Sequence, residues 1–455
     1  MKQLLFIYFT LAIITGCIST KEADNQRIAK EMEQSLKHEL LDAWYPVTLD
    51  TIHGGFLSDF TFNWEPGTPQ NKMIVTQARH VWTTSNAAIF FNDDRYAKIA
   101  EHGFHFLKNK MWDHIYGGFY MMRNREGNPV GPALSDGKTA YGNAFAIYAL
   151  SDYYLMSADT SALNLARETF KWLDKYSRDP EYGGYLNQLN REGYWFGRDN
   201  MPERSFGMAG AGLKDQNSSI HLLEAFTELY KVWPDSLLRQ RLLEMLELIR
   251  DTIVNEKGYL TLFLERDWTP VSYLDSSDAV RESHFYLDHV SFGHDIETAY
   301  LMLEASHVLE PESETKTLET AKKMVDHSLA KGWDNVNGGL YYEGYYFDDT
   351  DSITIIDQAK EWWVQAEALN SLLLMDELFP DEEKYYQAFI KQWEYITTYL
   401  IDHENGGWYS RGLDKNPEQI NAPKVYDWKV NYHNFRSLMN CIKMLRGEHE
   451  VMKEY

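Results

Sequence analysis

Three histidines, each followed three residues later by a charged side chain, are the groups in this chain best suited to chemistry. They are His221 with Glu224, His294 with Glu297, and His433 with Arg436. On a helix, residues three apart share a face. The stretch Ser291-Phe-Gly-His-Asp-Ile-Glu297 reads as a helix opened by Gly293, with His294 in its first turn. The positive end of a helix disfavours imidazolium and lowers the histidine pKa. A neutral imidazole beside a carboxylate accepts protons well near neutral pH. Further residues fall on the same faces: Asn217 with His221, Arg79 with Trp82, Tyr141 with Phe145, and Trp363 with Glu367. An arginine on a buried helix calls for an anion, either a structural carboxylate or an oxyanion developing in a reaction.

Each pair alone is compatible with a histidine satisfied in the core, or with ordinary aromatic packing. Recurrence on three segments points instead to one shared cavity, for which three chemistries are open. Histidine and glutamate at helical spacing build dimetal sites in bundles, but here the order is His-x-x-Glu and two arginines belong to the set. Inverting glycoside hydrolysis would use two carboxylates, Glu297 and Glu367, and would leave the histidines idle. Proton transfer at the carbon beside a carbonyl uses everything present. One imidazole removes the proton, a second returns one on the opposite face, and arginine stabilises the enediolate oxygen. The third histidine assists ring opening, and Trp and Tyr stack on the sugar. A non-catalytic sugar-binding protein on the same scaffold is the remaining alternative.

The elements that must position these residues announce themselves through a repeat. Two glycines followed by an aromatic or apolar residue recur at His53-Gly-Gly-Phe56, Tyr116-Gly-Gly-Phe119, Tyr182-Gly-Gly-Tyr185, Asn337-Gly-Gly-Leu340 and Asn405-Gly-Gly-Trp408, with a degenerate copy at Lys257-Gly-Tyr-Leu260. Successive copies lie 63, 66, 75, 80 and 68 residues apart, giving six units. Apolar spacing predicts two helices per unit, at 26–44, 72–91, 94–111, 139–157, 161–177, 215–232, 236–254, 293–309, 314–331, 359–378, 382–402 and 430–446. Each glycine phrase follows the first helix of its pair and begins a hairpin-like segment. Twelve helices in six pairs predict an all-α closed toroid with the second helix of each pair inside. Polar residues on those inner helices then point into the axial cavity or are unexplained costs.

Outside the toroid, Met1–Gly16 has a basic start, a short apolar run and small residues before Cys17, as in a bacterial lipoprotein signal ending in a lipobox. The expectation is cleavage before Cys17, a lipid on Cys17, a tether over 17–25 and a folded domain over 26–455, held at the cell envelope and facing the periplasm or the exterior. Only Cys441 remains after Cys17, which excludes an internal disulfide and a cysteine-rich metal site. Aromatic residues make up 15% of the chain, enough for a stacking surface besides a core, and the net charge of −24 argues against nucleic acid as a partner. Nothing calls for an oligomer, and a monomer is expected.

These blocks, in this order, resemble the N-acylglucosamine 2-epimerase superfamily, and within it most the cellobiose/mannobiose 2-epimerases. The resemblance spans the chain beyond the tether and rests on Arg79 with Trp82, Tyr141 to Tyr148, Asn217 to Glu224, His294 to Glu297, Trp362 to Glu367, and Tyr432-His433 with Arg436. It implies an (α/α)6 barrel, His294 and His433 as the acid/base pair and His221 as the helper in ring opening. It implies that Arg79 holds the reacting oxygens, and that Asn217, Glu297, Trp363, Glu367 and Arg436 bind sugar or support the histidines. It implies no metal or other cofactor for the chemistry. Monosaccharide isomerases of the superfamily share the histidines, so aldose–ketose isomerisation is the alternative. Two positions depart from the disaccharide pattern, Asn431 for Pro and Tyr300 for Trp, and both are expected to bear on the contact with a second sugar.

Overall fold

The computed structural model describes residues 20–130, 136–197, 212–310, 314–347 and 350–448, and the expected signal and lipidation site at Cys17 lie outside them. Thirteen helices of eleven residues or more carry the described fold. The outer set is α1 (Thr20–Gln34), α3 (Asp94–Phe106), α5 (Thr160–Tyr176), α7 (Ser236–Leu248), α10 (Glu314–Lys331) and α12 (Lys384–Tyr399). The inner set is α2 (Ile74–Phe91), α4 (Ala140–Ser157), α6 (Gln216–Val232), α9 (Phe292–Leu309), α11 (Trp362–Leu378) and α13 (Tyr432–Leu445). The remaining helix, α8 (Asp278–Asp288), precedes α9 and was not expected; only Leu287 of it is buried. Each inner helix packs on the next inner helix, and α13 packs on α2, so the ring closes into an (α/α)6 barrel.

Chemistry separates the two sets. Inner helices bury nearly every residue over their first three turns, as α2 does from Ile74 to Ser85. Outer helices bury one stripe, such as Ala162, Leu165, Ala166, Thr169, Phe170 and Leu173 on α5. Tight turns join α2, α4 and α6 to the outer helices that follow them, and aspartates at their ends accept backbone N–H bonds: Asp93 from Arg95, Asp159 from Ser161, Asp235 from Leu237 and Leu238. The sixth pair joins the first and last helices of the described residues, since α1 packs on α13. Residues 20–25, expected as tether, are instead helical and docked: Lys21 Nζ lies 2.9 Å from Asp376 Oδ1, and the Tyr386 hydroxyl donates to Asn25 at 2.7 Å.

Every glycine phrase is a turn bridged from the end of an outer helix to the residue after the glycines, as in Trp112 with Phe119 and Ile401 with Trp408. Gly54 and Gly55 have φ of 85° and 68°, and a Cβ on Gly55 would stand 2.5 Å from Gln77 Oε1. The strands beyond are only two to four residues long and, apart from the local pair of Glu343–Tyr345 with Thr354–Asp357, pair between successive repeats rather than as local hairpins. Thus β1 (Lys72–Met73) pairs with β2 (Met122–Arg123), β3 (Lys138–Thr139) with β4 (Gln188–Leu189), and β5 (Lys214–Asp215) with β6 (Phe263–Leu264). In the fourth interval β7 (Val290–Ser291), β8 (Glu343–Tyr345) and β9 (Thr354–Asp357) form a three-stranded sheet in that order.

Not all polar residues on inner helices face the axis. Gln77, Asn143, Asp295 and Gln365 occupy the same position in four inner helices, and each accepts the backbone N–H of the residue after the turn: Phe56, Phe119, Leu260 and Leu340. These side chains are structural caps, a destination the sequence reading did not foresee.

Candidate active site

The loops at the N-terminal ends of the inner helices surround a cavity of about 160 Å³. Arg79 from α2, Tyr141 from α4, Asn217 and His221 from α6, His294 and Glu297 from α9, Trp363 from α11 and His433 from α13 line it. Eight of the ten residues singled out from the sequence thus meet at one place. The other two, Glu367 and Arg436, lie beneath the floor, 0% and 2% exposed, and do not line the cavity. They hold its residues from behind. Tyr342, Trp362 and Trp428 also line the cavity and were missed as site residues. Tyr342 and Trp428 sit on loops that tertiary packing alone brings inward.

Each imidazole has a different anchor. His221 Nδ1 lies 2.8 Å from Glu224 Oε2, the i+3 pairing read from the sequence. His433 Nδ1 lies 2.7 Å from Glu367 Oε1. His294 Nδ1 lies 2.8 Å from Ser291 Oγ, three residues before it, and Glu297 instead contacts Arg436. The expected His294–Glu297 pairing is therefore replaced, because the carboxylate is drawn to the guanidinium below. Nor does Gly293 open α9; Ser291 precedes the first turn, and Gly293 lets Trp363 pack against the backbone. The Trp363 indole centre is 4.7 Å from the His294 ring and 5.7 Å from the His433 ring.

Beneath the floor, Arg436 donates through Nη1 to Glu224 and the Tyr432 hydroxyl, and through Nη2 to Glu297 and Glu367 at 2.6 and 2.7 Å. Three carboxyls facing one cation cannot all ionise freely. Burial opposes ionisation of Glu224, but Arg436, His221 and Tyr432 overcome it and hold its pKa at about 2. Burial, with Glu367 adding repulsion, lifts Glu297 to about 7; burial, against the pull of Arg436, lifts Glu367 to about 7. Burial also depresses the imidazoles: His294 falls to about 3, and His433 falls well below its usual range with Arg79 and Arg436 adding to the effect. Burial thus favours the neutral form of both. Arg79 Nη2 donates to the Tyr141 hydroxyl at 3.3 Å, and its guanidinium lies 4.4 Å from the Phe145 ring centre.

This geometry weighs on the rival chemistries. Ligating atoms of Glu297, Glu367 and His433 lie within 4.8 Å of one another, a spacing a metal could use. Arg436 already donates to both carboxyls there, and its charge opposes a second cation. The same spacing is too short for inverting hydrolysis, which needs carboxyls roughly 6.5–9.5 Å apart across a substrate. The two departures from the disaccharide pattern also resolve. Tyr300 accepts from Asn440 at 3.0 Å and faces the opposite end of the axis, while Asn431 is 0% exposed against Tyr45. Neither lines this cavity.

Fold and cavity together define a carbohydrate isomerase on an (α/α)6 barrel. Residues 55–437 match the family described as N-acylglucosamine 2-epimerase (GlcNAc 2-epimerase), and the chain belongs to that family. A cellobiose 2-epimerase of Ruminococcus albus is 32% identical over 90% of this chain and 97% of its own. One from Bacteroides fragilis is 28% identical over 92% and 98%. The solved cellobiose 2-epimerase of Bacillus thermoamylovorans superposes with a TM-score of 0.79 at 26% identity, covering 92% of this chain and 99% of that one.

Proposed function

We propose that the protein inverts carbon 2 of the reducing-end sugar of a β-1,4-linked disaccharide of the cellobiose or mannobiose type. The observation that carries this reading is the convergence of three imidazoles from α6, α9 and α13 on one cavity beside Arg79 and Trp363. The names of the relatives support the substrate class. In this reading Glu367 accepts from His433 Nδ1–H, leaving Nε2 as the base on one face of the open-chain sugar. His294, its Nδ1 occupied by Ser291, serves the other face and, having taken a proton from solvent, returns it to carbon 2. Arg79, beside Tyr141, steadies the oxygen that gains charge in the enediolate, and His221 and Asn217 handle the ring-opening proton and the sugar hydroxyls. Trp363 and Trp428 offer faces on which sugar rings stack.

Incubation with cellobiose in heavy water is expected to place deuterium on carbon 2 and give the epimer. His294→Ala and His433→Ala each lower kcat by about 10²–10⁴-fold. Absence of deuterium at carbon 2 with cellobiose and mannobiose alike defeats the proposal. A D-mannose isomerase of Marinomonas mediterranea, 25% identical over 88% of this chain, favours aldose–ketose isomerisation as the second reading, and a ketose product would select it.

The sequence before Thr20 supports a lipid on Cys17 and a place at the cell envelope. Cys17→Ser is expected to move the protein from the membrane to the soluble fraction; an unchanged membrane fraction argues against the anchor.

A further inference from the structure

Lys72, Lys138, Lys214 and Lys360 each stand two residues before an inner helix and bond an aspartate of a glycine turn. The sixth unit departs from this plan. Its aspartate, Asp402, meets Lys424 at 2.6 Å, and Lys424 stands eight residues before α13. The next residue, Val425, bridges Phe60 of the first unit, much as Lys72 pairs with Arg123. The chain then makes an excursion toward the axis before α13 begins. Tyr426 to Lys429 form a turn, closed by the Lys429 N–H donating to the Tyr426 carbonyl at 2.9 Å. Trp428, on that turn, lines the catalytic cavity.

The turn is gripped from two sides. Lys429 Nζ donates to the carbonyls of Trp408 at 2.6 Å and Lys424 at 3.0 Å. From α2, Thr76 Oγ1 donates to the Asp427 carbonyl, and Arg79 Nη1 to the Trp428 carbonyl at 3.3 Å. Lys429 is 2% exposed and bonds no carboxylate among the described residues; Glu361, the carboxylate that favours its charge, is held by Arg411 at 2.6 Å. A lysine buried without a counter-ion is costly. Burial, with Lys424 adding repulsion, pushes its pKa well below the usual range. A neutral amine still offers one N–H to each of the two carbonyls, so the grip does not depend on charge. Trp428 needs such support, for its side chain is poorly enclosed: the residue is 37% exposed and the Tyr141 ring centre lies 6.2 Å from its own.

We propose that Lys429 and Thr76 are positioning residues for the reaction, fixing the turn from Tyr426 to Lys429 so that Trp428 presents its face to the sugar. The proposal rests on the reading of Trp428 as a stacking platform and says what holds that platform in place.

Lys429→Met removes both donors at nearly constant length, and Thr76→Val removes the hydroxyl at constant shape. Each is expected to raise KM for cellobiose about tenfold, the loss of one ring contact, and to change kcat less. In a Trp428→Ala background neither raises KM further, because the ring they place is gone. KM losses that multiply, or a wild-type KM in both variants, overturn the proposal. Placement is read apart from turnover by fluorine NMR of the full chain labelled with 5-fluorotryptophan, the Trp428 signal being the one lost in Trp428→Phe. Both variants are expected to shift that signal. The signals of Trp172 on α5 and Trp393 on α12 stay in place and report a folded chain. Where Lys429→Met does not fold, Thr76→Val decides. A Trp428 signal unmoved by the substitutions overturns the proposal, whichever sugar is converted. A shifted signal in a chain whose wild type turns over neither cellobiose nor mannobiose supports the placement and counts against the disaccharide reading alone.

Discussion

Glu367 links the floor of the site to its chemistry: one oxygen lies 2.7 Å from both His433 Nδ1 and Arg436 Nη2. While it carries a proton it withdraws from His433; once ionised it accepts the Nδ1 proton and makes Nε2 more basic. With Glu297 and Glu367 both held near 7, kcat is expected to rise as pH climbs through about 7. His294, depressed to about 3, contributes no limb between pH 5 and 8. A rate profile flat from pH 5 to 8 would remove the carboxyl pair from this role. Linkage runs the other way for stability. The folded pair keeps protons that an unfolded glutamate, titrating near 4.5, has lost, so its contribution falls as pH rises from about 4.5 to 7. At this scale the sequence disclosed residue types better than partners. His221–Glu224 was legible because both sit on one helix. Ser291 was not, because it precedes the helix, and the pairing of Glu297 with Arg436 joins residues 139 apart in the chain.

Helix α9 shows how an element is tuned by its neighbour. Glycine inside a helix costs roughly 0.5–1 kcal/mol relative to alanine, so Gly293 is unfavourable on propensity alone. A Cβ there would stand 2.5 Å from Val364 Cγ2 and 2.6 Å from Trp363 Cη2. Overpacking of that kind costs about 1–3 kcal/mol, more than the propensity gain. Gly293→Ala is therefore expected to lower the melting temperature and, by displacing the indole between His294 and His433, to lower kcat. An unchanged melting temperature would mean that Trp363 yields freely. The long inner and outer helices were legible because apolar spacing extends over several turns. Helix α8 was not, since it buries only Leu287 and carries little apolar pattern. Strands of two residues are too short for alternation to register.

Across the whole molecule the repeats are locked together by buried charge. An aspartate lies four residues before the first glycine in five units, and a buried lysine meets it: Lys72 with Asp50, Lys138 with Asp113, Lys214 with Asp179, Lys360 with Asp334 and Lys424 with Asp402, at 2.9, 3.0, 3.3, 2.8 and 2.6 Å. An arginine from the following loop joins the first three: Arg125, Arg191 and Arg266. The period that disclosed six units contained this lock, but pairing the aspartate with a lysine in another segment needs the fold. The fourth unit is the control supplied by the chain itself. Asn255, three residues before Gly258 but directly after the bridged Val254 as Asp113 follows Trp112, stands at the aspartate position, and Val290, two residues before α9 as Lys138 is before α4, stands at the lysine position. Both charges are absent together, as expected if either alone is costly. Lys138→Val leaves Asp113 with Arg191 as its cation among the described residues, and Asp113→Asn leaves a lysine of 1% exposure with backbone carbonyls but no carboxylate; each is expected to cost about 3–5 kcal/mol. The double variant, imitating the fourth unit, is expected to recover most of that loss in denaturant unfolding. Losses that simply add would show that lysine and aspartate act independently, and that the charges missing from the fourth unit have another cause.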